Sequence, residues 1–353
     1  MSTAPTAPRT MRTAREAAIG LEHGAGGQAM RELIRDLLGA GFDEGPGTAV
    51  GLQAMDDGAV LPLGDRWLVI TTDSHVIQPP FFPGGDIGRL AVSGTVNDLA
   101  MMGAAVPLAL TSSVILEEGF PRRDLERILA SIRIACTEAG VTVVTGDTKV
   151  MGKGEIDGIA LNTTGIALTD RFVTDAGLLP GDRILVTGTM GDHGLAVMAA
   201  RHALQLEGEL LSDVAPINGL VRAALGAAPE GIVALKDPTR GGLASALHEM
   251  ADKSGVGIVL QELEVPLTDQ ARAAGELLGI DPLHVANEGK AVLGVRPESV
   301  DAVLAALRGH PQGRQARMVG TCTEERPGRV VLDTGFGRRL LTEPHGEPLP
   351  RIC

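Results

Sequence analysis

Five aspartates in the first half of the chain, Asp56, Asp57, Asp73, Asp98 and Asp147, each stand in a polar break after an apolar run. This pattern constrains the fold more than any other feature. An apolar run such as Trp67–Ile70 or Val141–Val144 favours burial as a strand, whereas the carboxylate after it needs water, a cap or a cation. Between these breaks lie two stretches with helical spacing, Ile87–Met102 and Arg122–Ala139, and a strand is expected over Pro107–Ile115. A further strand near 159–167 closes the first half. The alternation reads as α/β or α+β.

The second half repeats it. After a joint at 168–180, Arg183–Gly188 reads as a buried strand, and Met190-Gly191-Asp192-His193-Gly194 opens a helix to about Leu204. Further helices are expected at 217–227, 241–253, 268–278 and 298–307, and strands at 257–260, 291–295, 316–322 and 329–333. A chain of 353 residues can hold two cores. The expected organisation is a disordered extension at 1–18, an N-terminal domain at 19–168, a C-terminal α/β domain at 169–340 and a mobile tail at 341–353. No short-period repeat is visible.

Composition removes several function classes. With no Tyr, one Trp and six Phe, the core must be aliphatic, and stacking platforms for single-stranded nucleic acid are missing. A net charge of −13 disfavours a phosphate backbone as partner. No run approaches the roughly 20 apolar residues of a membrane span. Residues 1–18 carry Arg9, Arg12 and Arg15 before the first acid, Glu16. That composition faintly resembles a transit peptide, lacks the apolar stretch of a secretion signal, and reads as disordered.

The three cysteines form neither a disulfide framework nor a zinc pattern. Cys136 lies in an apolar helical run and Cys322 in a short strand, so both read as core. They suit a reducing, cytoplasmic setting. Only Cys353 lacks a packing explanation. It ends a tail punctuated by Pro344, Pro348 and Pro350, which forbid a regular helix and favour an extended path. The stretch from Leu341 could reach about 40 Å when fully extended. Such an end is either a frayed terminus or an arm that presents a thiol.

Aspartates convergent beside a lysine, here Lys149 two residues after Asp147, suit Mg²⁺ shared between carboxylate and phosphate oxygens. Each acid taken singly also reads as a turn former or helix cap. A P-loop is absent: Gly146 and Gly152-Lys153 are one residue too far apart, and Gly154 occupies the Ser/Thr position. Gly24-Ala25-Gly26-Gly27-Gln28-Ala29 follows no strand, which weakens a dinucleotide-binding assignment, although a glycine-rich flap can approach phosphates. His23 there reads as a phosphate contact or a loop stabiliser. His193 reads as shaping a helix start. Lys236 and Arg240 read as anion binders or as parts of a structural turn.

Several segments carry a resemblance when taken in order. They are Asp56-Asp57-Gly58-Ala59, Thr71-Thr72-Asp73-Ser74, Asn97-Asp98, Gly146-Asp147-Thr148-Lys149 and Lys236-Asp237-Pro238-Thr239-Arg240-Gly241-Gly242. Together they resemble the AIR synthetase (PurM-like) ATP-binding superfamily. With Asn287-Glu288-Gly289 and the terminal Pro350-Arg351-Ile352-Cys353, the chain resembles, over roughly 19–353, the HypE family of hydrogenase maturation proteins. The resemblance implies a two-domain PurM-like fold whose N-terminal domains pair in a homodimer and carry the ATP site. It implies that Asp57, Asp73, Asp98 and Asp237 hold Mg²⁺, with Asp56 and Asp147 as further participants. Gly146, Thr148, Lys149, Asn162 and Thr163 would then lie near the nucleotide or the reacting group.

The resemblance further implies ATP-dependent dehydration of an S-carbamoyl group on Cys353 to a thiocyanate. The carbamoyl group would come from a HypF-type carbamoyltransferase, and the cyanide would pass to iron of [NiFe] hydrogenase on a HypC–HypD scaffold. The chemistry is reasonable, because hydroxide is a poor leaving group and phosphorylation of the amide oxygen replaces it with phosphate. A base must then take an N–H proton as the C–N triple bond forms. Glu288 is the candidate base, alone or with Lys149; capping or ion pairing is its structural alternative. Lys149 with Mg²⁺ would offset charge on the moving phosphoryl group. Two alternatives stay open: another PurM-like ATP enzyme, such as a selenophosphate synthetase or small-molecule kinase, and a non-catalytic maturation scaffold. The flap from His23 to Gly27 lacks the cysteine of selenophosphate synthetases.

Overall fold

The computed structural model describes residues 18–24, 28–38, 45, 47–204, 206–343 and 352. A short helix, α1 (Gln28–Leu33), runs into a π-helical turn at Ile34–Leu38. The first half then contains β1 (Ala59–Leu63), β2 (Arg66–His75), the two-residue strands β3 (Phe81–Phe82) and β4 (Gly85–Asp86), and α2 (Ile87–Met101). After these come β5 (Pro107–Glu117), α3 (Arg122–Ala139), β6 (Val143–Met151) and β7 (Ile159–Thr169). The sheet order is β1-β2-β7-β5-β6. All pairs in it are antiparallel except β5–β6, which is parallel.

Strand alternation gives this sheet two unlike faces. Val69, Thr71 and His75 of β2 and Leu161, Thr163 and Ala167 of β7 are buried on the helix side. Thr72, Ser74, Asn162 and Thr164 hydrogen-bond one another on the other side. α3 is amphipathic and buries Ile128, Ile132, Ala135, Cys136 and Ala139, spaced along one helical face. α2 is buried almost all round, because it packs on β2, β7 and α3 of its own half and on Asn218–Ala227 and Ile232–Lys236 of the other.

The second half comprises β8 (Arg183–Val186), α4 (Asp192–Arg201), α5 (Asn218–Ala227), β9 (Ile232–Lys236), α6 (Gly242–Ser254) and β10 (Gly257–Gln261). α7 (Asp269–Leu278), β11 (Val292–Val295), α8 (Val300–Gly309), β12 (Arg317–Thr323), β13 (Val330–Asp333) and β14 (Arg338–Leu340) complete it. Its seven strands are ordered β14-β13-β10-β12-β8-β11-β9. Ala100, Met101 and Ala105 of the first half share one apolar cluster with Leu185, Ile217, Leu220 and Val221 of the second.

The expected helices and most strands are present, shifted by one to three residues at their ends. Two details differ. Asp56 and Asp57 precede β1 and do not end a strand, whereas Asp98 lies within α2, the helix expected over Ile87–Met102. Four strands were not anticipated: the paired β3 and β4, β9 and the exposed β14. Cys136 and Cys322 are buried and unpaired, as their surroundings suggested.

Candidate functional site

β2 and α2 supply one wall of a cavity. Thr71 Oγ1 donates to Asp98 Oδ2 at 2.8 Å, so a strand hydroxyl orients a helix carboxylate. Two residues along, Asp73 Oδ2 lies 3.0 Å from His75 Nε2. Gly94 of α2 faces this pair, and a Cβ there would stand 2.9 Å from both partner atoms. Glycine is therefore required at that turn of the helix.

The opposite wall comes from the second half. β9 ends at Lys236, and the turn Asp237–Gly241 leads into α6. Gly242 has φ +63° and lies against the backbone of Leu283 and Val285, where a side chain would clash. Asn287 fixes the turn, since its Nδ2 donates to the Pro238 carbonyl and its Oδ1 accepts from Gly191 N–H. Glu288 follows, buried, with Oε1 unpaired. The cavity between the walls has a volume of about 500 Å³, a size suited to a small ligand. Asp56, Asp57, Asp73, Asp98, Asp237, Glu249 and Glu288 line it, against Arg31, Lys236 and Arg240.

Negative charge thus exceeds positive charge among the described lining residues, and the carboxyls respond. Burial lifts Asp98, Asp237 and Glu288 well above the ordinary carboxylate range, and neighbouring acids push in the same direction. Burial with the charges of Asp175 and Asp57 raises Asp56 to about 7. Burial also pushes Asp73 upward, but His75, Arg240 and the Ser74 N–H outweigh it and hold Asp73 at about 2. Lys236 loses hydration on burial, yet Asp57, Glu249 and Asp175, at 2.9, 3.2 and 3.3 Å, keep its pKa well above normal. Asp57 Oδ2 has no protein partner.

Such a donor set fits a divalent cation shared with phosphate oxygens. No group of three or more described acids, His or Cys forms a ready-made metal cage, and Mg²⁺ typically takes only one or two carboxylates when it binds with a phosphate chain. An unpaired carboxylate oxygen on Asp57 and mutually repelling acids are what a cation would relieve. Met30, Ile34, Leu52, Met55 and Ile70 add an apolar end to the cavity.

The structure divides the residues picked out from sequence. Asp56, Asp57, Asp73, Asp98, Asp237 and Glu288 converge on the cavity. Gly146, Asp147, Thr148 and Lys149 lie on β6, exposed at the edge of the sheet, with Lys149 Nζ 2.9 Å from Asp147 Oδ2. Asn162 faces the open side of the sheet, where its amide donates to the Asp73 carbonyl and to Ser74 Oγ. Thr163 is interior and donates to the Ala91 carbonyl of α2. His23 Nδ1 accepts from Gly20 N–H, a local loop contact. Lys236 serves as counter-ion to acids. Sequence reasoning passed over Asp175, Glu249 and Lys253, which complete that ion network; no local motif marks them.

The tail returns to the body of the molecule. Arg31 makes a two-pronged pair with Glu343 and also reaches Glu249 on the cavity wall. Cys353 and Arg351 lie outside the described residues, as do 1–17 of the extension and Ala25–Gly27 of the flap. Ile352 is described and buried, and His193 Nε2 at the start of α4 lies 2.5 Å from its carbonyl oxygen. The charges of Asp213 and His75 act on this same histidine.

Residues 55–169 match the family of AIR synthase related protein, N-terminal domain, and residues 180–333 its C-terminal domain. The chain is 48% identical over 340 residues to the carbamoyl dehydratase HypE of Cupriavidus necator, covering 95% of each. A crystal structure of hydrogenase maturation protein HypE in complex with ATP superposes with a TM-score of 0.78 at 42% identity, covering 94% of this chain and 99% of that one. HypE in a crystal structure of a HypE–HypF complex superposes with a TM-score of 0.82 at 43% identity, covering 88% and 99%. With two family domains in order on a two-part α/β fold and near-full-length identity of this size, the chain belongs to the HypE family of AIR synthase related proteins.

Proposed function

We propose that this chain is an ATP-dependent carbamoyl dehydratase whose substrate is its own C-terminal cysteine. The observation that carries the reading is the burial of Ile352, with its carbonyl on His193, which Ser212 and the adjoining Asp213 connect to Glu288 on the wall of a cavity rich in carboxyl groups. The residue next to the terminal thiol is thus held by His193, and no reactive cysteine lines the cavity among the described residues. The name of the Cupriavidus necator relative and the ATP complex of a HypE neighbour support the same activity.

The cavity would take ATP, with Mg²⁺ between its phosphates and Asp57, Asp73, Asp98 and Asp237, and Asp56 close by. When bound, the ion would neutralise phosphate charge and favour transfer of the γ-phosphoryl group. The carbamoyl oxygen on Cys353 attacks the γ-phosphorus and ADP leaves. The nitrogen then gives up its two protons, the C–O bond to phosphate breaks, and S–C≡N remains. Glu288 would accept a proton: its buried carboxylate, free at Oε1, is a stronger base than an exposed one.

Lys149, Gly146, Asp147 and Thr148 sit on an exposed edge strand on which Val144 and Val150 are 63% and 68% exposed. An unprotected strand of this kind invites pairing with a second copy. A homodimer formed there would place Lys149 at a shared interface, where it could serve a neighbouring nucleotide site. A HypF-type carbamoyltransferase would load the thiol, and a HypC–HypD scaffold would receive the cyanide. No helix among the described residues is long and apolar enough to cross a membrane, and we assign the chain to the cytoplasm with its buried free thiols.

The test is direct. The chain is incubated with the carbamoyltransferase, carbamoyl phosphate and ATP, and the C-terminal peptide is then weighed before and after Mg-ATP. Loss of one water from the carbamoyl adduct is expected; an adduct that keeps its water would sink the dehydratase reading and favour a scaffold. Cys353→Ala should carry no adduct, whereas Lys149→Ala and Glu288→Ala should accumulate it. A Glu288→Ala chain that dehydrates at the wild-type rate would end its assignment as base.

A further inference from the structure

His193 takes no part in the chemistry above, yet both of its ring nitrogens are engaged. Nδ1 lies 2.8 Å from Ser212 Oγ, and Nε2 lies 2.5 Å from the Ile352 carbonyl oxygen. A carbonyl can only accept, so Nε2 carries a proton. Burial lowers the His193 pKa and favours the neutral ring. Nδ1 must then accept, and the Ser212 hydroxyl donates to it while taking the Val214 N–H at 3.1 Å. One tautomer is therefore fixed by its neighbours. Phe82 holds the ring edge-on, with centroids 5.3 Å apart.

The accepted oxygen belongs to the peptide that joins Ile352 to Cys353. The Ile352 side chain is 3% exposed in a cluster that includes Ile77 and Phe82. The residue after Ser212 is equally engaged: Asp213 Oδ1 accepts the Glu288 N–H at 3.1 Å, and Oδ2 takes Lys290 at 3.0 Å. Two consecutive residues thus orient the holder of the tail and the backbone of the acid assigned as base.

We propose that His193, oriented by Ser212, is a positioning residue that clamps the last peptide bond of the tail and so presents the terminal sulfur substituent to the dehydration site. The contact is to backbone and not to sulfur. It therefore reads the position of the chain end, whatever group the thiol carries. The proposal rests on the reading of Cys353 as substrate, but its first readout does not require turnover.

That readout is the rate at which iodoacetamide alkylates Cys353 in the native, nucleotide-free chain, followed by mass spectrometry. His193→Ala should raise it roughly tenfold, the effect of losing one buried hydrogen bond. Ser212→Ala should raise it less. His193→Gln, whose amide can donate from nearly the same place, should fall back toward wild type. In the carbamoyl-loaded chain, His193→Ala should slow dehydration by roughly 10- to 100-fold through misplacement. Loading by the carbamoyltransferase should meanwhile become faster, because the tail is released more often. Unchanged alkylation in His193→Ala would overturn the clamp. Equal slowing of loading and dehydration in both His193 variants would reduce the histidine to a folding role and overturn it too. If the wild type fails to dehydrate, the catalytic reading falls, and the alkylation ratio still decides the clamp.

Discussion

Asn97 Nδ2, on a helix of the first half, lies 3.3 Å from the carbonyl of Glu288 in the second. The same amide reaches the Ala215 carbonyl at 3.1 Å, and Asn97 Oδ1 accepts from Ile217 N–H at 2.8 Å. One buried side chain therefore ties the backbone of the proposed base to the helix that carries Asp98. Asn97→Ala should leave those backbone groups short of partners. The expected loss is about 1–3 kcal/mol, read as a lower urea midpoint, together with slower dehydration. A midpoint equal to wild type would show that the staple contributes nothing.

Lys236 is the cation on which Asp57, Asp175 and Glu249 converge. Lys236→Met strands these acids in a buried place, a change that typically costs about 3–5 kcal/mol. Lys236 is also what most strongly holds Glu249 below its ordinary range. Protonating the stranded acids relieves the defect, so the stability gap to wild type should be wider at pH 8 than at pH 5.5. Chemical denaturation at both values checks the sign.

Gly94 touches the Asp73–His75 pair without a side chain of its own. Gly94→Ala adds a methyl group where the room is 2.9 Å, which should push Asp73 aside and weaken Mg-ATP binding roughly tenfold. A helix gains about 1 kcal/mol from this exchange, so thermal stability should fall much less than nucleotide affinity. Calorimetric titration beside a melting curve separates the two.

Burial, with the charge of Asp182, pushes the Cys322 thiol up to about 12, and burial also raises Cys136. At pH 8 neither should react with a thiol reagent in the native chain, and a single modified cysteine, Cys353, is expected before denaturation. The linkage has a definite sign. Above about pH 9 the unfolded Cys322 thiol ionises while the folded one keeps its proton to about 12. Stability from this group is therefore lost as pH rises through that window. Cys322→Ala should flatten that part of the curve.

Much of the fold could be read because its signals are long. α2 and α3 carry sustained apolar content, and their ends fell within a residue of expectation. β9 was missed although Ile232–Leu235 is apolar throughout, because Lys236-Asp237-Pro238 drew the segment into a turn motif. β14 has three residues, all exposed, and no pattern to find. In the candidate site, aspartates in polar breaks did converge. Other candidates lie on the opposite face of the sheet from Asp73. Asp73 pairs with Thr163 and Ser74 with Asn162, so alternation alone puts Asn162 opposite to Asp73. Lys236 could not be recognised as a counter-ion, since burial among Asp57, Asp175 and Glu249 depends on residues far apart in sequence. The His193–Ile352 contact joins positions 159 residues apart, with no local trace.

A helix buried on nearly every side, as α2 is, leaves no slack for a hinge. Opening the two halves would expose Ala100, Met101 and Ala105 to water, at about 25 cal/mol for each Å² of apolar surface. Grasp and release of a bound group by domain closure is thus an expensive motion for this molecule. Under the proposed function, exchange between loading and reaction would then fall to the terminal segment, where His193 holds the Ile352 carbonyl.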